Sequence, residues 1–110
     1  MLGPEKLGAF DLMVLLALIR LHDEAYGVSI ARTIEDSTGQ SVALATVYVT
    51  LGRLEKKGLI ASRMGEPTAE RGGRRRKHFA MTPAGARALK SAYRDYTEMA
   101  AGLERRLKRL

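Results

Sequence analysis

At 110 residues the chain is sized for one domain with a modest core, and 45% apolar content is ordinary for a globular protein. The absence of cysteine excludes disulfides and thiolate metal sites, and its two histidines, His22 and His78, fall in different elements, so no metal or cofactor is expected. The net charge of +7 is unevenly spread: residues 1–52 carry three basic and six acidic side chains, residues 53–77 nine and three, and such a basic concentration suits a polyanion, with a membrane surface as the usual competitor.

No basic leader followed by an apolar core opens the sequence. The apolar run Leu12 to Ile19 is shorter than the ~20 residues that span a bilayer. A soluble, cytoplasmic protein with no membrane partner is the expectation. Leu7 to Leu21 form the first predicted helix, with Phe10, Met13, Leu16 and Ala17 on one side and Leu12, Leu15 and Ile19 on another. Apolar faces on two sides imply burial on both, either by its own core plus a partner subunit or by another long helix. His22, at its C-terminal end, fits a surface residue favoured by the helix dipole.

A second helix opens at Ala25-Tyr26-Gly27 and runs to about Thr38, burying Val28, Ile30, Ala31 and Ile34 and ending at Gly39. Tyr26 is expected to anchor in the core with its hydroxyl at the edge. In the third helix, within Ser41 to Ile60, Leu44, Val47, Leu51 and Leu54 form an apolar stripe. Thr46, Thr50, Arg53 and Lys57 lie on the other arc. Lys56 and Lys57 suit the last turn, and Gly58 can stop the helix in the left-handed conformation.

Ile60, Ser62 and Met64, then Lys77, Phe79 and Met81, alternate with their neighbours at period two and predict an antiparallel hairpin. Its loop, Gly65 to Arg75, holds Pro67 and Gly72-Gly73 and leads into Arg74-Arg75-Arg76-Lys77, a charged tip suited to a phosphate backbone. Thr82-Pro83 is a strong helix start, with a capping hydroxyl followed by a proline whose missing N–H costs nothing. From there Leu89, Ala92, Tyr93, Tyr96, Met99, Ala100, Leu103, Leu107 and Leu110 keep helical spacing. One helix of ~25 residues, near 38 Å, is expected, longer than the preceding core can cover, so its stripe asks for a second subunit.

The predicted fold is mainly α with a small β-hairpin: a winged helix-turn-helix, residues 1–81, plus a long C-terminal dimerisation helix, residues 82–110. In that order of elements the second helix of the pair enters the DNA major groove.

The segments AYGVSIART, TVYVTLGRLEKKGLI and RRRKHFAMTPAG stand in the order and spacing of the PadR family of bacterial transcriptional regulators, which the chain resembles from Leu7 to about Tyr96. The most specific part is Tyr48 with Leu51, Arg53-Leu54-Glu55 and Gly58-Leu59. The resemblance implies a dimeric winged-helix repressor whose first and last helices build the subunit interface, here through Phe10, Met13, Leu89, Tyr93, Tyr96, Met99, Leu103 and Leu107. It also implies that Thr46 and Tyr48 touch phosphate or groove, that Arg53 touches the backbone from the helix's far end, and that Lys77 with Arg74, Arg75 and Arg76 forms the wing. Three departures stand out. Ala43 replaces the usual capping Ser or Thr, unless Ser41 substitutes; Val49 replaces a common Pro after the Tyr; and no tryptophan is available to stack flat drugs.

The expected function is a sequence-specific DNA-binding repressor acting as a homodimer on a pseudo-palindromic operator, with Ala45, Thr46, Val49 and Thr50 facing base edges. The alternative is a winged-helix protein-interaction or RNA-binding module. An enzyme is not expected, since there is no cysteine nucleophile, phosphate-cradling glycine loop or HExxH pair. The subunit stripe leaves two readings open: an apolar gap that takes a small hydrophobic effector, or solid packing and constitutive repression.

Overall fold

In the computed structural model, residues 6–66 and 75–110 are described. The elements in order are α1 (Ala9–Leu21), a single 3-10 turn (His22–Glu24), α2 (Gly27–Thr38), α3 (Leu44–Lys56), β1 (Ile60–Met64), β2 (Lys77–Met81), α4 (Pro83–Ala100) and α5 (Glu104–Lys108). This is a mainly α winged helix-turn-helix, with β1 and β2 forming an antiparallel pair in which Ser62 faces Phe79.

The core draws one apolar stripe from each of the first three helices. Val14, Leu15 and Leu18 of α1, Ile30 and Ile34 of α2, and Val47, Leu51 and Leu54 of α3 meet Ile60 and Phe79 of the hairpin. Each such side chain contributes about 1.5–3 kcal/mol by leaving water. The hairpin is tied to the helices along its second edge, where Phe79 N–H donates to the Ala25 carbonyl at 2.9 Å and Tyr26 bridges to His78. That tie brings the start of α2 beside the root of the wing.

Thr82 caps α4 as expected: its Oγ1 accepts from Gly85 N–H at 3.1 Å and donates to the Gly58 carbonyl at 2.7 Å. The same hydroxyl therefore joins the end of α3 to the start of α4. Two expectations about this helix need correction. Leu89 is buried in the protomer's own core together with Ala88, because the first turns of α4 pack inward, so it is not available to a subunit interface. Nor is there one helix of ~25 residues: α4 has 18 residues, and α5 follows after a turn in which Gly102 takes φ 79°. The left-handed conformation, inexpensive only for glycine, redirects the chain there.

Beyond Leu89 the C-terminal segment leaves the core. The radius of gyration is 15.8 Å, against ~13 Å for a compact chain of this length. Tyr93, Tyr96, Met99, Leu103, Leu107 and Leu110 are all exposed, as are Leu16 and Ile19 on α1. Phe10 and Met13 are partly covered by the protomer's own core. Among the described residues, no helix is long and apolar enough to cross a membrane.

Candidate nucleic-acid interface

The first two turns of α3 present one face to solvent. Ala43, Leu44, Ala45, Thr46, Tyr48 and Val49 are exposed, Val49 to 67%, while Val47 and Thr50 point inward. Two sequence expectations are corrected here. Leu44, assigned to the buried stripe, lies exposed in the first turn. Thr50, assigned to the groove-facing arc, is only 3% exposed, because residues 47, 50, 51 and 54 occupy one side of the helix and that side is the core. Ala43 is the N-cap of α3 and the helix has no side-chain cap, so Ser41 does not replace the missing hydroxyl.

Beside this face lies a cleft of about 580 Å³ lined by Tyr26, Gly27, Val28, Tyr48, Arg75, Arg76 and Lys77. Its floor is the start of α2, and the Tyr48 ring closes one side by lying against the Gly27 backbone. The other side is the wing root. Arg76 sits with its guanidinium carbon 4.3 Å from the centre of the Tyr26 ring, a cation–π contact, and Tyr26 meets the edge of His78 with ring centres 5.6 Å apart. His78 Nδ1–H donates to the Arg76 carbonyl at 3.1 Å, which holds both residues in place. The cleft is thus cationic and aromatic, open to solvent, and bordered on the α3 side by Tyr48.

Lys77 is partly engaged, with Nζ 3.8 Å from Glu55 and 5.8 Å from the centre of the Phe79 ring. Both partners of that ion pair are substantially exposed, so it holds the lysine only weakly and leaves it able to exchange carboxylate for phosphate. Glu55 is fixed in turn by Ser62, whose hydroxyl donates to it at 2.6 Å.

The structure therefore brings Tyr48, Arg75, Arg76 and Lys77 together at one cleft, and leaves Thr46 and Val49 exposed on α3. Arg74 and the Gly72-Gly73 pair lie outside the described residues. Arg53, expected at the phosphate backbone, is paired with Asp11 of α1. Tyr26, Gly27 and Val28 were not anticipated as part of this surface; an aromatic followed by glycine at a helix start was the available signal, and it suggests core packing equally well. Among the described residues, no three His, Cys, Asp or Glu side chains group in a way that could hold a metal.

The sequence model of the PadR-like family of transcriptional regulators matches residues 15–91. No curated protein matches the sequence significantly. Among solved structures, a PadR family transcription regulator from Clostridium difficile is 25% identical with a TM-score of 0.72, over 91% of this chain and 99% of that one. A transcriptional regulator from Clostridium thermocellum is 28% identical with a TM-score of 0.70, over 86% and 89%. Bacillus subtilis PadR, solved in complex with operator DNA, is 20% identical with a TM-score of 0.65, over 78% of this chain and 48% of that one.

Proposed function

The chain belongs to the PadR-like family of transcriptional regulators, and from that premise we propose that it is a homodimeric repressor that binds a pseudo-palindromic DNA operator through α3 and the wing. The observation that carries this reading is the joining of two surfaces with different tasks. Exposed Ala45, Thr46 and Val49 lie at the front of α3, as a helix entering a major groove requires. Arg75, Arg76 and Lys77 share a cleft with Tyr48 of the same helix, where phosphates would pass.

The chemistry of the α3 face indicates how bases would be read. Methyl-bearing, uncharged side chains favour contact with thymine methyls and offer few bidentate hydrogen bonds. Part of the specificity then falls to DNA shape, sensed through the wing. The exposed apolar side chains of α1, α4 and α5 support a subunit interface, in which residues 82–110 act mainly as the dimerising segment and Tyr93, Tyr96, Met99, Leu103 and Leu107 face the partner with Phe10 and Met13. A protein-interaction or RNA-binding role for the same fold is less favoured, because an exposed helix face beside a cationic cleft suits the duplex groove.

Footprinting tests the reading as a whole. On a duplex that the protein selects from a random pool, two half-sites about 34 Å apart should be protected, one for each recognition helix. A single protected patch would contradict the symmetric dimer.

A further inference from the structure

Asp11 is a buried charge that DNA contact does not use. It lies in the first turn of α1, is 6% exposed, and has both carboxylate oxygens committed. Oδ2 accepts from the Gly8 backbone N–H at 2.9 Å, which closes the start of α1. Oδ1 accepts from Nη2 of Arg53, in the last turn of α3. The Arg53 side chain keeps 46% of its surface exposed and the Asp11 side chain 8%, so the acid is the fixed member and the arginine is drawn to it.

The pair joins two helices with different tasks. α1 carries the exposed Leu16 and Ile19 on its outer face, and α3 carries the exposed Thr46 and Val49 at its front. Arg53 is seven residues beyond Thr46, or ~10 Å along the axis at 1.5 Å per residue. A tilt of ~10° about that point would carry Thr46 by ~2 Å, enough to lose a base contact.

We propose that Arg53 is a positioning residue: its ion pair with Asp11 sets the angle of α3 against α1 and thereby the placement of Thr46 and Val49 on base edges. The inference rests on the DNA-binding reading above. It reverses the sign of a simple electrostatic expectation. A carboxylate near a DNA-binding surface repels phosphate, so neutralising Asp11 should strengthen binding to any duplex if charge alone matters. If the pair orients α3, the same change weakens binding to the selected duplex and spares binding to random duplex.

The test uses the full chain with Asp11→Asn, Arg53→Gln, both together, and Arg53→Lys, titrated at several salt concentrations below their melting temperatures. The probes are the duplex selected by the wild-type protein and a random duplex. The proposal expects each neutral variant to lose about 10-fold on the selected duplex, the double variant to lose no more, and Arg53→Lys to recover most of the affinity. Random-duplex affinity should hold or rise, and the salt slope of Arg53→Gln should equal that of the wild type. Undiminished affinity in Asp11→Asn, additive losses, or a slope reduced by about one phosphate in Arg53→Gln would overturn it. Should Asp11→Asn fail to fold, the slope of Arg53→Gln decides in either direction. A wild-type protein with no preference for its selected duplex would overturn the DNA-binding reading, a failure distinct from those of the ion pair.

Discussion

The ring of Tyr48 crosses the backbone of Gly27 so closely that a Cβ on residue 27 would lie 2.5 Å from both the tyrosine Cζ and its hydroxyl oxygen. The first residue of α2 thus has no side chain because an aromatic from α3 lies over it. This contact gives the cleft its shape and places the Tyr48 hydroxyl near the start of α2.

Gly27→Ala follows from this contact as a variant that separates stability from function. Alanine gains up to ~1 kcal/mol of helix propensity, offset by displacement of a flexible ring, so stability should stay within ~1 kcal/mol of wild type. Tyr48 must swing out, and affinity for the selected duplex should fall by about 10-fold. Melting and binding measured on the same sample check this; unchanged DNA affinity would contradict the assigned role of the contact.

The two neighbours on α3, Val49 and Thr50, should behave in opposite ways. Thr50→Val keeps the branched outline in a buried site but removes a hydroxyl, and should change stability by about 1 kcal/mol, with DNA binding intact. Val49→Glu places a carboxylate on the exposed face and should abolish binding through repulsion by phosphate, with the melting temperature nearly unchanged. Parallel melting and binding curves for the two variants test the inward and outward assignments together.

Much of the architecture was legible because local rules and tertiary packing agreed. Gly39 and Gly58, expected as helix stops, take φ 75° and 76°, and Thr82 caps α4 with its hydroxyl. The misreadings have physical causes. Polarity placed Thr50 outside, although its spacing from Val47 and Leu54 put it on the buried side. The repeat Met99, Leu103, Leu107 kept helical spacing across Gly102 and concealed the break, since side-chain periodicity does not report a backbone that turns left-handed. Leu44 matched the stripe but lies in the exposed first turn of α3. The Asp11–Arg53 pair spans 42 positions and arises only when α1 packs near the end of α3, which no local pattern encodes.

The exposed apolar stripe predicts dimerisation. Sedimentation should find the wild type dimeric at micromolar concentration, and Leu103→Asp with Leu107→Asp should yield monomers, since charges placed in such an interface cost several kcal/mol. A stable, folded wild-type monomer would refute the dimer.

An effector-responsive interface makes a separate prediction. A small hydrophobic compound seated between subunits near Tyr96 should lower operator affinity in the wild type but not in Tyr96→Ala, and a 100-fold loss requires ~2.7 kcal/mol of preference for the DNA-incompetent arrangement. Titration with phenolic and cationic hydrophobic compounds checks it. A panel without effect, together with a fully packed subunit interface, would favour constitutive repression.

The most direct test of recognition by the front of α3 compares wild-type affinity for its selected duplex and for a scrambled duplex of the same composition as salt is raised. Both affinities should fall as counterions compete, while their ratio stays near 10³ or higher, because base contacts persist after phosphate contacts weaken. Equal affinity for the two duplexes at every salt concentration would contradict sequence-specific recognition.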